Sequence, residues 1–541
     1  MIATQESISA SPRNLAARLE ALAPLAMIVV GLLVRLRGAH SRFLNADEAM
    51  HYLLSLQPSV VAAYHASLGT AHPPLLILLL HYWGMISSTE FFLRLPSVIA
   101  GTASGWFLYA WLRRVTDHST ALIALALFLF SPALIYTSAE LRQYALLLCF
   151  MAATLYLLDR ACMENSPGMM LTSAAPLYLA LLTHYCALIF AGAVGIYGIM
   201  RLASIRPLTG PHPPLVRTWV ATQTGAAAIA AFLWKTHILV IRNAPLTQDV
   251  AQSYLRNSLF QRGQENVGLF ILKANIRLFH FLFSQGAVSV AGMLLFVVGI
   301  VLLWRNRAQP TGRQPSPRQL AILLLLPFVI NCAAALAGTY PYGGTRHNSY
   351  LAFFAMPAVA AAVTRWKVRH EWIKLAAIAF ALGICNLTVS PAGAYIGPRN
   401  QQKKLMDEAV AFVHKSAHPN AILLTDFESG LLLSYYVCHH SVVPSEKPAE
   451  LFYSSRCGDY ESMSLLPRLW VFRAATFPDQ MRELRQMLAR EPDREIWLFQ
   501  AGFIVDREPE FQSLLAHHDC PSPRKFGENI LICRIRLPPA S

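Results

Sequence analysis

Between residues 20 and 391 the chain carries eleven apolar runs, at 20–38, 95–112, 119–138, 143–158, 171–183, 185–200, 218–238, 286–304, 319–338, 348–364 and 374–391. A helix needs about 20 mostly apolar residues to cross a bilayer. In lipid, only helices and closed barrels satisfy every backbone polar group. The runs therefore read as transmembrane helices, with 143–158 and 171–183 borrowing flanking residues. Composition agrees: charged residues make up 14% of the chain, against about 25% in a soluble protein. The expected fold is an all-α polytopic membrane protein of about eleven spans. The first run is followed by Arg35 and Arg37 rather than a small-residue cleavage site, so it reads as an uncleaved anchor.

The formal net charge is +15. In a soluble chain that would raise nucleic acid as a partner. Here the basic residues sit in short loops between apolar runs, the pattern of loops facing an anionic cytoplasmic leaflet. Arg113 and Arg114, then Arg201, Arg206 and Arg217, then Arg305, Arg307, Arg313 and Arg318, then Arg365, Lys367, Arg369 and Lys374 all fall on one side, with the N-terminal segment 1–19. That side is read as cytoplasmic. The run at 73–86 is too short to span and reads as an interfacial or re-entrant helix, with the prolines at 73 and 74 suiting a first turn. It lies in a long outer loop, 39–94. A second outer loop, 239–285, has an amphipathic stretch near Leu269–Phe283. Arg35, Arg37, Arg42 and Arg94 are the exceptions, placed on the outer side. Either they bind something anionic or the topology departs from this scheme.

The membrane region is read as 20–394. Residues 395–541 have ordinary charge density and alternating patterns, expected as a small α/β domain. Helices are expected at Leu405–His414 and Pro478–Arg490, and strands at Ala421–Thr425, Arg468–Phe472, Glu495–Phe499 and Ile530–Ile535. Eleven spans from an inside N-terminus place this domain outside the cytoplasm. Its cysteines, Cys438, Cys457, Cys520 and Cys533, permit two disulfides of undetermined pairing, or four free thiols.

Polar residues at span ends converge on the outer side, and an ionisable group beside hydrocarbon needs a cavity or a partner. Asp47 and His51, four apart, share a helix face. Asp47 is the expected general base, or a metal ligand with His51. Glu48 is a second catalytic candidate, but Asn45-x-x-Glu48 also has capping-box spacing. Arg142 and Arg346 are candidate phosphate contacts, since a guanidinium offers a planar fork of donors. Glu140, Tyr144, His51, His72, His184 and His347 join them as candidate substrate contacts. So does Arg94, which is also spaced for an i,i+4 ion pair with Glu90. Gly343 and Gly344 precede Arg346 and permit unusual backbone angles. No zinc spacing, phosphate-binding P-loop, nucleophile elbow or dinucleotide fingerprint is present.

The segments LNADEAMHYLLS (44–55), AHPPLLILLLHYW (71–83), FFLRLPSVIAG (91–101), SPALIYTSAELRQYALLL (131–148), LLTHY (181–185) and YPYGGTRHNSYL (340–351), in this order, resemble the GT-C membrane glycosyltransferases. The likeness is to their bacterial dolichyl-phosphate-mannose-protein mannosyltransferase-like group, which includes lipopolysaccharide- and lipid A-modifying enzymes. It covers residues 20–390. The resemblance implies an essential acidic residue in the first outer loop, which maps onto Asp47, and interfacial helices in that loop. It also implies a polyprenyl-phosphate-sugar donor whose phosphate meets basic residues at the outer face. Metal use varies among such enzymes, so a divalent cation stays open. The expected reaction transfers a sugar to an envelope glycolipid, polysaccharide or protein at the outer face of a bacterial inner membrane. A carboxylate base at a partly apolar interface is expected to have a raised pKa. A transporter or lipid-linked sugar flippase is the alternative; it would place its charges near mid-membrane.

Overall fold

A computed structural model describes residues 12–205, 213–242, 255–308, 313–368, 371–387, 401–440, 452–465, 494–502 and 522–535, and a few single positions besides. The chain opens with a long helix, α1 (Pro12–Ser41), followed by three short ones: α2 (Ala46–Ser55), α3 (Val60–Ser67) and α4 (Leu75–Trp83). At nine residues, α4 is about 14 Å long, which suits the interfacial placement expected of it. Then come α5 (Glu90–Val115), α6 (His118–Phe130), α7 (Pro132–Ser138), α8 (Tyr144–Glu164), α9 (Pro167–Thr172), α10 (Ala174–Leu181) and α11 (Ala187–Ser204). Helix α12 (Pro213–Leu233) runs through a π turn into α13 (Leu239–Arg242). The amphipathic stretch of the second loop forms α14 (Val267–Phe283), and α15 (Gly286–Arg305), α16 (Pro317–Leu336), α17 (Ala352–Thr364) and α18 (Glu371–Leu387) complete the bundle.

Seven of these helical stretches are long and apolar enough to cross a membrane alone. An eighth, α6 with α7, bends by 59°. The expected spans at 171–183 and 348–364 form shorter helices, because a turn at Ser173 and a 3-10 turn (Arg346–Leu351) interrupt their apolar runs, and that at 374–391 is described as helix as far as Leu387.

The bend between α6 and α7 accounts for one of the outer-side arginines, Arg35. Pro132 cannot continue the helical hydrogen-bond ladder, so carbonyls near the break lose their partners. Arg35, fully buried, donates to the Leu129 carbonyl at 3.0 Å. Asn386 donates to Phe130 at 2.8 Å. Arg42 donates to Ala139 at 3.3 Å and lies 4.4 Å over the Tyr136 ring. Both arginines bind the protein's own carbonyls, an outcome outside the two expected alternatives. Close approach at the bend requires small residues: a Cβ on Gly101 would lie 2.3 Å from the Ser138 hydroxyl, and one on Gly105 2.6 Å from Leu129.

At the other end of α5 and α8, buried Asp159 accepts from Trp111 (2.8 Å), Tyr197 (2.8 Å) and Arg201 (2.7 Å). Arg201 also donates to the Arg313 carbonyl at 2.7 Å. Arg114 pairs with Glu164 there. The basic loops thus gather at one end of the bundle.

Helices α19 (Lys403–Ser416) and α20 (Phe427–Tyr436) accompany a six-stranded sheet. Its strands are β1 (Ile422–Thr425), β2 (Phe452–Cys457), β3 (Tyr460–Leu465), β4 (Ile496–Gln500), β5 (Arg524–Phe526) and β6 (Ile530–Ile535), in the order β2-β3-β1-β4-β6-β5. Strand β1 is parallel to both neighbours, β4 is parallel to β1 and antiparallel to β6, and β1 and β4 are fully buried. Disulfides join Cys438 to Cys457 and Cys520 to Cys533. The expected strand Arg468–Phe472 lies outside the described residues, as does the segment 388–400; of the expected helix Pro478–Arg490 only Asp479, Arg482 and Gln486 are described, and they are helical.

Candidate functional site

Helix α2 is set by its first four residues. Asn45 caps it, accepting from Glu48 N at 3.0 Å, and Glu48 accepts from Asn45 N at 2.9 Å, which is the expected capping box. The carboxylate of Glu48 has further partners: both its oxygens accept from Arg94 at 2.7 Å, and one also accepts from Leu141 N at 2.7 Å. The remaining donors of Arg94 go to the carbonyls of Ala39 (2.9 Å), Arg42 (2.6 Å) and Phe43 (2.9 Å). All five N–H groups of this guanidinium are used. Arg94 therefore pairs with Glu48 across the fold and not with Glu90, whose carboxylate instead meets Lys403 and Tyr436.

Asp47 points elsewhere. Its side chain is 21% exposed, against 0% for Glu48. One carboxylate oxygen meets Arg142 at 3.1 Å and also receives a hydrogen bond from Arg346. Burial alone would raise the Asp47 carboxyl, but Arg142 and Arg346 outweigh it and hold it well below the usual carboxylate range. The expected rise is thus reversed, because two cations contact one oxygen. Glu140 behaves oppositely: burial, then the nearby Glu48 charge, push it up to about 7. It accepts from Asn45 at 3.0 Å.

Arg142 comes from the turn between α7 and α8, and its carbonyl accepts from Ser97 at 3.0 Å. Arg346 and His347 come from the loop before α17. Asn331 of α16 fixes that loop, donating to the Pro341 carbonyl (3.1 Å) and Asn348 (2.9 Å) and accepting from Tyr350 (3.0 Å). Gly343 has φ of +134°, and a Cβ on Gly344 would lie 2.4 Å from the Arg277 carbonyl. Both glycines are therefore required here.

Four imidazoles gather beside the arginines. His72 lies 5.8 Å from His51, 5.2 Å from His184 and 6.2 Å from His347, by ring centroid. Tyr144 is 5.5 Å from His184. Burial, then the positive field of Arg142, depress His51 and His184 to about 3, and burial holds His72 and His347 well below the usual range. All four rings are neutral at pH 7, so each nitrogen is either a donor or an acceptor. His51 Nδ1 donates to the Asp47 carbonyl at 2.6 Å, leaving Nε2 an acceptor. His72 Nε2 accepts from Arg142 at 3.2 Å, leaving Nδ1 a donor. His184 Nδ1 accepts from Cys186 N at 3.2 Å, leaving Nε2 a donor. These three ring atoms, the Tyr144 hydroxyl and the Gln143 amide are buried without a hydrogen-bond partner among the described residues. Such a mixed set of donors and acceptors suits hydroxyl groups, which are both.

The structure thus brings Asp47, His51, His72, Arg142, Tyr144, His184, Arg346 and His347 together, with Glu140 adjoining. It places Glu48 and Arg94 behind them in a closed pair. His51 turns its Nδ1 to the Asp47 backbone carbonyl, which fixes the ring on the same end of α2 as the Asp47 carboxylate. Among the described residues no three His, Cys, Asp or Glu side chains are grouped to hold a metal ion. The sequence reading omitted Gln143, which stands between Arg142 and Tyr144 in the 131–148 segment, and Asn331, a lone amide in the apolar run 319–338.

Residues 71–222 match the family described as dolichyl-phosphate-mannose-protein mannosyltransferase. No curated protein matches the chain by sequence. ArnT from Cupriavidus metallidurans in its apo state superposes with a TM-score of 0.53 at 12% identity, over 96% of this chain and 98% of that one. The same protein bound to undecaprenyl phosphate gives 0.52 at 11% identity, over 94% and 97%. An oligosaccharyltransferase of Archaeoglobus fulgidus, tethered with an acceptor peptide, gives 0.49 at 11% identity, over 89% and 69%. The fold is shared with ArnT from end to end.

Proposed function

We propose that this chain, a membrane glycosyltransferase of the GT-C fold, moves a sugar from a polyprenyl-phosphate donor to a hydroxyl on an extracytoplasmic glycolipid, polysaccharide or protein. The observation that carries this reading is one carboxylate, Asp47, held between Arg142 and Arg346 beside a cluster of buried, unpartnered polar groups. The shared fold with ArnT, a structure of which holds undecaprenyl phosphate, supports a lipid-phosphate donor. The basic loops at the opposite end of the bundle support a site facing away from the cytoplasm. A carrier's charges belong near mid-membrane, whereas these cluster where the helices end.

In the proposed reaction the acceptor hydroxyl gives its proton to Asp47 and its oxygen bonds the anomeric carbon. The bond from that carbon to the phosphate oxygen breaks, and its electron pair leaves with the polyprenyl phosphate. Arg142 and Arg346 neutralise the charge that develops there. In-line displacement inverts the anomeric centre. A phosphate sharing the two guanidinium groups would weaken their hold on Asp47, so its basicity would rise only with donor present. The histidines and Tyr144 would hold sugar hydroxyls. Glu48 and Arg94 would position α2 without touching substrate.

The test is mass spectrometry of envelope glycans and prenyl-linked sugars in cells making wild-type or Asp47→Asn protein at equal level. Transfer should fall by about 10² to 10⁴, one glycan should lose a sugar, and its prenyl-linked donor should accumulate. Unchanged glycans would refute Asp47 as the base.

A further inference from the structure

Residues 42–44, in the segment that joins α1 to α2, are tied to the C-terminal unit one after another. Arg42 forms an antiparallel bridge with Gln402. Phe43 N donates to the Gln401 carbonyl at 3.0 Å, and the Gln401 amide donates back to the Phe43 carbonyl at 2.6 Å. Leu44 N donates to the Tyr436 hydroxyl at 2.8 Å, and that hydroxyl donates to Glu90. The next residue, Asn45, caps the helix that carries Asp47. Farther along α2, Tyr52 packs edge-on to Tyr435 at 5.6 Å and reaches His440 at 3.2 Å.

From this we infer that the C-terminal unit positions the catalytic helix, with Tyr436 and Gln401 as positioning residues that set Asp47 against Arg142 and Arg346. This rests on the proposed role of Asp47. The physical reason is leverage. Asp47 lies three residues beyond Leu44, and a displacement of about 1 Å at a reacting group costs about 10² in rate. Tyr436→Phe removes the acceptor of Leu44 N and the donor to Glu90 without changing the ring. Tyr435, the adjacent residue, bonds the Ser88 carbonyl at 2.6 Å and not the 42–44 segment. Tyr435→Phe removes that bond while keeping the ring against Tyr52, so it serves as an interface control.

The experiment compares full-length wild type with Tyr436→Phe, Gln401→Ala and Tyr435→Phe in detergent. It measures amide hydrogen exchange over 43–55, affinity for undecaprenyl phosphate, and sugar transfer in cells by mass spectrometry. For Tyr436→Phe and Gln401→Ala, exchange over 43–55 should rise about tenfold and transfer should fall about tenfold, with lipid affinity within about twofold. Tyr435→Phe should leave transfer within about twofold. Gln401→Ala, which leaves the α20 tyrosines in place, decides the matter should Tyr436→Phe fail to fold. Unchanged exchange over 43–55 would overturn the inference whatever the substrate. So would raised exchange with undiminished transfer, or equal losses in all three variants. Should Asp47→Asn leave transfer intact, the base assignment fails separately, and the exchange data still judge the brace.

Discussion

Asp47 and Glu48 are adjacent carboxylates with opposite surroundings. Glu48 has its charge balanced by one arginine and its lone pairs filled by backbone, in a closed and buried pair. Asp47 shares Arg142 and Arg346, the two groups that the proposed reaction would also turn to the leaving phosphate. Two consequences can be measured by titrating purified protein with undecaprenyl phosphate. Arg142→Lys should weaken binding about tenfold, because an ammonium keeps the charge but loses the planar fork. Asp47→Asn should strengthen binding, because the carboxylate no longer competes for the same guanidinium groups. Opposite signs at neighbouring groups separate competition from general damage to the site.

The turn between α7 and α8 carries Glu140, Arg142 and Gln143 to one place, and it also carries a pH dependence. Glu140 ordinarily titrates at 4.5 and is pushed up to about 7 by burial and by Glu48. A raised carboxyl contributes stability that is fully present below 4.5 and is lost as pH rises through 7. Wild type should therefore lose on the order of 3 kcal/mol relative to Glu140→Gln across that window, at about 1.4 kcal/mol per unit. Thermal unfolding of both proteins from pH 4 to pH 8 checks it, and parallel curves would contradict it. Helix α2 depends on elements as well: Asn45 both caps it and holds Glu140, so one side chain ties the helix start to this turn.

Across the whole molecule, one buried ion pair joins parts distant in sequence. Arg94 on α5 binds the end of α1, the start of α2 and, through Glu48, the turn at Leu141. Removing one partner leaves an uncompensated buried charge. Arg94→Ala should cost about 3–5 kcal/mol, read as a lowered unfolding temperature of the detergent-solubilised protein; a loss below about 1 kcal/mol, the range of an exposed pair, would contradict the burial argument. At the opposite end, Asp159 satisfies Trp111, Tyr197 and Arg201, so each end of the bundle is fastened by a buried acid with its basic partner.

The amino-acid sequence by itself determined the class of fold, because the need to satisfy backbone polar groups in lipid leaves long apolar runs little choice. It determined the α2 capping box, because that motif is local: Asn45 and Glu48 are three residues apart. It also marked Asp47, Arg142, Arg346 and the histidines, since polar groups beside apolar runs stand out. It did not reveal the hairpin of β2 and β3, although Gly458-Asp459 between two alternating segments is a turn signal, nor the short helix α20, too brief for a clear period. Only tertiary structure decided that Arg94 serves Glu48 rather than Glu90, that Arg35 and Arg42 bind the protein's own carbonyls, and that Asp47 is acidified rather than made more basic. Each of these depends on which charges meet after the chain has folded, across separations of 46 residues for Arg94 and Glu48 and 299 for Arg346 and Asp47. Local sequence fixes what a residue can do; the contacts brought together by packing fix which partner it has and therefore what it does.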